Sequence, residues 1–170
     1  MICAALFGTG SPVPREKPDA GSTPQQGNPY FSKTDTAHLG ISDAEWKRVL
    51  PEDVYQISRR KGTERAFTGR YWDFEGKGTY RCAACGNLLF RSDAKFASSC
   101  GWPSFFEAVR PGSIRTATDN AYGMVRTEVV CGRCEGHLGH VFEDGPPPTG
   151  LRYCMNSIVL LFEPDSTGSR

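Results

Sequence analysis

No run of apolar residues in the 170-residue chain approaches the ~20 that a membrane-spanning helix needs, so a membrane protein is not expected. Charge of one sign does not accumulate either: 20 Lys and Arg stand against 19 Asp and Glu, a net charge of +1. Without a basic field the chain is not expected to bind nucleic acid or an acidic lipid surface. The apolar start Met1–Phe7 has no basic stretch before it and no clear cleavage site after it, so a secretory signal is not expected. Histidine is scarce, with three in all, which makes the place of each informative.

The length fits one domain with some unstructured chain, and 38% hydrophobic with 23% charged residues suits a soluble globular protein. Cysteine is plentiful by comparison, with seven. An odd count with C-x-x-C spacing favours a reducing compartment, where thiols serve metal binding and catalysis; the cytoplasm is expected. From Gly8 to Pro29 the chain is dominated by Gly, Pro, Ser, Thr, Gln and Asn, too little apolar surface to offset the entropy of ordering. Residues 1–40 are therefore expected to form a flexible arm, 41–163 the domain and 164–170 a tail. Ser42-Asp43-Ala44-Glu45 has the form of a capping box and opens a helix that Pro51 stops; a second helix is expected from Glu52 to Arg60. The rest reads as short strands over Thr79–Cys82, Asn87–Phe90, Lys95–Ala97, Met124–Val130, Leu138–Phe142 and Tyr153–Phe162.

Cys82/Cys85 and Cys131/Cys134 form two C-x-x-C pairs. Two residues between thiols let both sulfurs face one ion, with Gly86 and Gly132 easing the turns. Four thiolates close a tetrahedral shell, so one structural zinc ion is expected, stapling distant parts of the domain. Two redox dithiols or an iron centre are the rival readings. This leaves Cys100 and Cys154, with Cys3 in the arm.

Cys154 lies in Leu151-Arg152-Tyr153-Cys154-Met155-Asn156. On a strand running from Leu151 to Phe162, Arg152, Cys154 and Asn156 share one face. Arg152 favours the thiolate, and Asn156 offers an amide; the plain alternative is a small buried apolar residue. Two of the three histidines, His137 and His140, lie together with Asp144 close behind. They make an acid/base set in which Asp144 orients one ring, or else a second metal site. Cys100 sits in Ser99-Cys100-Gly101-Trp102-Pro103-Ser104, on an expected accessible loop, and Trp102 can wall a small apolar pocket.

Taken together, these segments and Thr63-Glu64-Arg65-Ala66-Phe67-Thr68-Gly69 resemble the methionine-R-sulfoxide reductase B family over Ile41 to Glu163. The resemblance implies a mainly β fold of two packed antiparallel sheets, a β-tent, with short N-terminal helices and a four-cysteine zinc site away from the reacting sulfur. It implies that Cys154 attacks the sulfoxide sulfur. His137, His140 and Asn156 assist protonation of the leaving oxygen, with Asp144 and Arg152 in support, while Trp102 and Phe142 receive the methyl group. Cys100 then closes a Cys100–Cys154 disulfide that thioredoxin reduces. The substrate would be the R epimer of methionine sulfoxide, free or in proteins, and the enzyme a monomer. A zinc-stabilised binding module and a thiol peroxidase are the competing classes. Neither gives a task to Cys154, Asn156, His137, His140 and Trp102 together.

Overall fold

The computed structural model describes residues 27–166. Two short helices, α1 (Asp43–Val49) and α2 (Glu52–Ser58), precede nine strands: β1 (Gly78–Cys82), β2 (Leu88–Arg91), β3 (Lys95–Phe96), β4 (Ser104–Phe105), β5 (Ile114–Asp119), β6 (Arg126–Cys131), β7 (His137–Phe142), β8 (Arg152–Met155) and β9 (Leu160–Pro164). They make two antiparallel sheets, a small one in the order β2-β1-β9 and a large one in the order β3-β4-β8-β7-β6-β5. The expected mainly β architecture with two short N-terminal helices is present.

The helices begin where their caps dictate. The Ser42 hydroxyl accepts from the Glu45 amide at 3.3 Å, as a serine N-cap does. The reciprocal half of the capping box is not made: the Glu45 carboxylate accepts from the Tyr30 hydroxyl and from Arg48 instead. Pro51 caps α2. Trp46 is wholly buried on α1, and Val54, Tyr55 and Ile57 are buried on α2.

An aromatic cluster joins the two sheets. Tyr80 of β1 meets Phe105 of β4 edge-on at 5.0 Å, and Phe90 of β2 stacks on the same ring at 4.4 Å. Phe162 of β9 completes it at 5.2 Å from Tyr80. Tyr80, Phe90 and Phe105 have no exposed surface. Each burial is worth ~1.5–3 kcal/mol, and each ring pair ~0.5–1.5 kcal/mol more.

Four expectations change. The strand expected over Tyr153–Phe162 is two strands: β8 in the large sheet and β9 in the small one, divided by a 3-10 turn at Ser157–Val159. Asn156 caps that turn and lies outside β8, so it does not continue the face of Arg152 and Cys154. β4 and β5 carry no sequence signal of their own; β5 reads Ile-Arg-Thr-Ala-Thr-Asp and is mostly exposed. The part of the expected arm from 28 to 40 packs on the domain. Asn28 donates to Ala84 O at 2.8 Å, the Ser32 amide to Cys85 O at 3.0 Å and the Leu39 amide to Arg133 O at 2.8 Å, while the Tyr30 ring meets Trp46 edge-on at 5.4 Å. Hydrogen bonds to backbone carbonyls hold it, and composition does not reveal them. Pro164 likewise ends β9, and Arg91 grips Asp165 through both carboxylate oxygens. The remainder of the expected arm, Cys3 included, and positions 167–170 lie outside the described residues.

Candidate active site and four-cysteine cluster

Cys82 ends β1 and Cys131 ends β6, so the two C-x-x-C turns hang from different sheets. All four sulfurs lie within 4.8 Å of one another and are buried. Cys82 and Cys134 stand 3.8 Å apart, and Cys85 and Cys131 3.6 Å. A tetrahedron with metal–sulfur bonds of ~2.3 Å has edges of ~3.8 Å, so the cluster fits a metal ion. The residue after each pair takes the left-handed backbone, Gly86 at φ 81° and Glu135 at φ 59°. Gly132 serves otherwise than expected: its φ is ordinary, but a side chain there would strike the Gly112 carbonyl.

The second cysteine pair sits in the middle of the large sheet. Cys154 on β8 is flanked by Ser104 of β4 and His140 of β7 in register. The Cys100 sulfur lies 3.5 Å from that of Cys154, with the Ser98 and Ser104 hydroxyls at 2.8 Å and 3.4 Å from it. This geometry divides the two thiols. The Cys154 S–H donated to Cys100, helped by the two serines, pulls the Cys100 thiol down to about 4. The same bond and burial push Cys154 well above its ordinary value, and the opposing pull of Arg152 is outweighed. The two sulfurs compete for one proton, so the ionisation belongs to the pair rather than to either thiol.

His137 and His140 are three residues apart, and regular alternation would put them on opposite faces. The β6–β7 register shifts by one residue at Val129/Val130. Leu138 goes wholly into the core, and the His137 ring comes to 5.4 Å from that of His140. Carboxylates from neighbouring strands hold both rings: Glu128 Oε1 is 2.8 Å from His137 Nδ1, and Asp119 Oδ2 is 2.8 Å from His140 Nε2. Carboxylates accept, so these nitrogens carry the protons. His137 Nε2 is then a buried atom with no hydrogen-bond partner among the described residues, placed to meet water or substrate. Burial holds His137 below its ordinary pKa against the pull of Glu128. Asp119 is drawn down to about 2 by the Ala121 amide and His140.

Asp144 does not orient either histidine. It holds Arg152 through both oxygens at 2.8 Å, and Arg152 lies 4.5 Å over the Phe142 ring. The carboxylates that do hold the rings, Glu128 and Asp119, were not singled out in the sequence. They come from β6 and β5, and only pairing across strands reveals them. Asn156 is buried; it accepts from the Glu64 amide at 3.0 Å and donates to Leu138 O at 3.0 Å. Glu64 gathers the site from behind. Its carboxylate accepts from the Ser157 and Ile158 amides at 2.6 Å and 3.1 Å, and its carbonyl accepts from the Trp102 indole at 3.1 Å. Trp102 is half-buried beside the Cys100 loop.

Residues 50–164 match the family model described as the SelR domain. The chain is 60% identical over 123 residues to the peptide methionine sulfoxide reductase MsrB of Thiobacillus denitrificans, covering 72% of this chain and 93% of that one. It is 58% identical over 123 residues to the protein of that name in Agrobacterium fabrum, with 72% and 91% covered. To the one in Acinetobacter baumannii it is 59% identical over 119 residues, with 70% and 86% covered. Matches of this extent, over a chain that carries a thiol pair beside two carboxylate-held histidines, show that it belongs to the SelR-domain family of methionine sulfoxide reductases, MsrB.

Proposed function

We propose that this oxidoreductase reduces the R epimer of methionine sulfoxide, free and in polypeptides, and is recycled by thioredoxin. The 3.5 Å approach of Cys100 and Cys154, with His140 beside Cys154 in register, carries the reading. The R stereochemistry and thioredoxin rest on the resemblance of the motifs; peptide substrates also rest on the name its relatives carry.

Cys154 sulfur attacks the sulfoxide sulfur and the oxygen passes to Cys154. The thiol supplies sulfur and proton and the sulfoxide supplies oxygen, so the products are methionine and a sulfenic acid. For attack, the Cys154 proton must first leave the bond to Cys100; Arg152, which lowers the Cys154 pKa, then stabilises the thiolate. His137 Nε2 is bare while Nδ1 donates to Glu128, so it must first take up the proton that Cys154 gives up before it and His140 pass it toward the oxygen, directly or through water, with Glu128 and Asp119 fixing the rings. Trp102, with Phe142, receives the methyl group. Asn156 and Asp144 act by position: the first holds Glu64 and β7 together, the second holds Arg152. Cys100 then attacks the sulfenic sulfur, water leaves, and the Cys100–Cys154 disulfide is reduced by the thioredoxin dithiol.

Cys82, Cys85, Cys131 and Cys134 hold one zinc ion in this reading. Bound there it supplies structure only, since four protein ligands leave no position for substrate. No helix among the described residues is long and apolar enough to cross a membrane; a monomer in the cytoplasm completes the proposal.

The test is consumption of the separate R and S epimers of a blocked methionine sulfoxide, with dithiothreitol as reductant. Loss of the R epimer alone is expected. Cys154→Ser abolishes it, and Cys100→Ser leaves one reduction per enzyme without thioredoxin-driven turnover. Loss of the S epimer, or of neither from zinc-loaded protein, refutes the proposal.

A further inference from the structure

Among the described residues, four large apolar side chains are exposed: Phe67 at 53%, Tyr122 at 91%, Met124 at 51% and Val125 at 82%. They are not scattered. Tyr122, Met124 and Val125 form the tip of the β5–β6 hairpin, which Asp119 and Arg126 close with an ion pair at 2.8 Å. That same Asp119 holds His140, the register neighbour of Cys154. Phe67 lies on the other side. Its amide donates to Gly101 O at 2.8 Å, next to Cys100, and its segment carries the Glu64 carbonyl that positions Trp102. A side chain at Gly101 would come within 2.8 Å of the Phe67 nitrogen, so the Cys100 loop and Phe67 are fitted to each other.

The backbone adds an independent observation. Phe67 and Tyr122 both take the left-handed conformation, at φ 64° and 56°, which a bulky side chain disfavours. Strained residues of this kind cluster where ligands are held. Here two exposed aromatic rings are kept in left-handed backbone, one bonded beside the Cys100 loop and one beyond the Asp119 that holds His140, where a glycine would fold more easily. Exposed apolar groups beside a site mark where a partner's apolar surface lands.

We propose that Phe67 and the Tyr122–Val125 tip are two rims of a docking surface for the apolar residues on either side of a methionine sulfoxide in an extended or unfolded polypeptide. This deepens the proposed function and rests on it for the place of the sulfoxide. Exposed apolar side chains such as Phe67, Tyr122, Met124 and Val125 lose their contact with water only against apolar groups, so the flanks that suit these rims are themselves apolar. Such a segment lies across the Cys100–Cys154 pair with its flanks on the two rims. A free amino acid reaches the sulfur without touching them.

The test uses full-length, zinc-loaded protein with Phe67→Gly, Tyr122→Gly and the double variant. Glycine suits the left-handed backbone, so unchanged or raised melting temperatures are expected. Binding is measured by fluorescence anisotropy with a labelled peptide containing unoxidised methionine between Leu, Phe and Val residues, which needs no turnover. Each substitution is expected to weaken binding about tenfold, as loss of an aromatic anchor does. In turnover, the R-sulfoxide form of that peptide loses a similar factor in kcat/KM, through KM. Blocked methionine sulfoxide does not, and a peptide with Gly and Ser flanks is no better for wild type than for the variants. Unchanged peptide affinity overturns the docking surface, as does an equal fall for the blocked amino acid. If wild type binds the peptide through these residues yet reduces no sulfoxide, the reductase reading fails and the docking surface stands.

Discussion

At the scale of the residue, the two thiols control each other. Cys100 is pulled down to about 4 because Cys154 donates to it, and Cys154 is pushed up for the same reason. Replacing Cys100 with serine removes the sulfur that raises Cys154. The Cys154 pKa should therefore fall, while burial still holds it up against the pull of Arg152. Replacing Cys154 with alanine should do the opposite to Cys100: a thiolate that loses a side-chain donor is less stabilised, so its pKa rises above about 4. Ultraviolet thiolate absorbance against pH, in protein with zinc bound, reads both shifts. Identical curves for wild type and Cys100→Ser would mean that the sulfurs do not share a proton. The candidate thiols could be read from the sequence by subtraction, because four of seven cysteines declare themselves in pairs. Which thiol is ionised could not, because that depends on a 3.5 Å approach between residues 54 positions apart.

At the scale of the element, parity decides what the sequence can reveal. Arg152 and Cys154 are two apart on a regular strand, and their common face is legible. His137 and His140 are three apart, and only the register shift at Val129/Val130 brings them together. Asn156 has the right parity to join Cys154, yet the strand ends before it. The reason is local: the Glu64 carboxylate and the Ser157 hydroxyl offer the backbone other partners, and the chain turns from the large sheet to the small one. The helices were legible because Ser42 and Pro51 mark them by their own chemistry. β5 was not, because an exposed edge strand needs no apolar alternation. Asn156 is therefore a joint as much as a catalytic candidate. Asn156→Ala leaves the buried Glu64 amide without its acceptor, a loss of ~1–3 kcal/mol. Thermal denaturation should show a lower melting temperature, along with a shift in Trp102 emission as the Glu64 carbonyl moves. Slow turnover at an unchanged melting temperature would instead mean that Asn156 acts only on substrate.

At the scale of the whole molecule, the four-cysteine cluster and the 28–40 segment form one assembly. The cluster joins β1 of the small sheet to β6 of the large one, so it closes the sheets at the turns while the Tyr80–Phe105–Phe90 rings close them at the core. Arg133, between the second pair of cysteines, is almost wholly buried. It donates to Tyr30 O at 2.8 Å and Cys85 O at 2.6 Å, and pairs with Asp35 at 2.7 Å. One guanidinium thus ties the 28–40 segment to both C-x-x-C turns. The family match begins at residue 50, so the strap lies outside it, and its polar composition hid it from a reading by hydrophobicity. Hydrogen bonds from a charged group are worth ~1.5–3 kcal/mol each, enough for the strap to be part of the fold. Arg133→Ala should therefore lower the melting temperature and speed release of the proposed zinc to a colorimetric chelator. The Cys100–Cys154 pair, held by β4, β7 and β8, should keep its single-turnover rate while metal is bound. Zinc release at the wild-type rate would show that the strap lies on the cluster without guarding it. A fall in single-turnover rate at full zinc occupancy would show that the two ends of the large sheet are mechanically one.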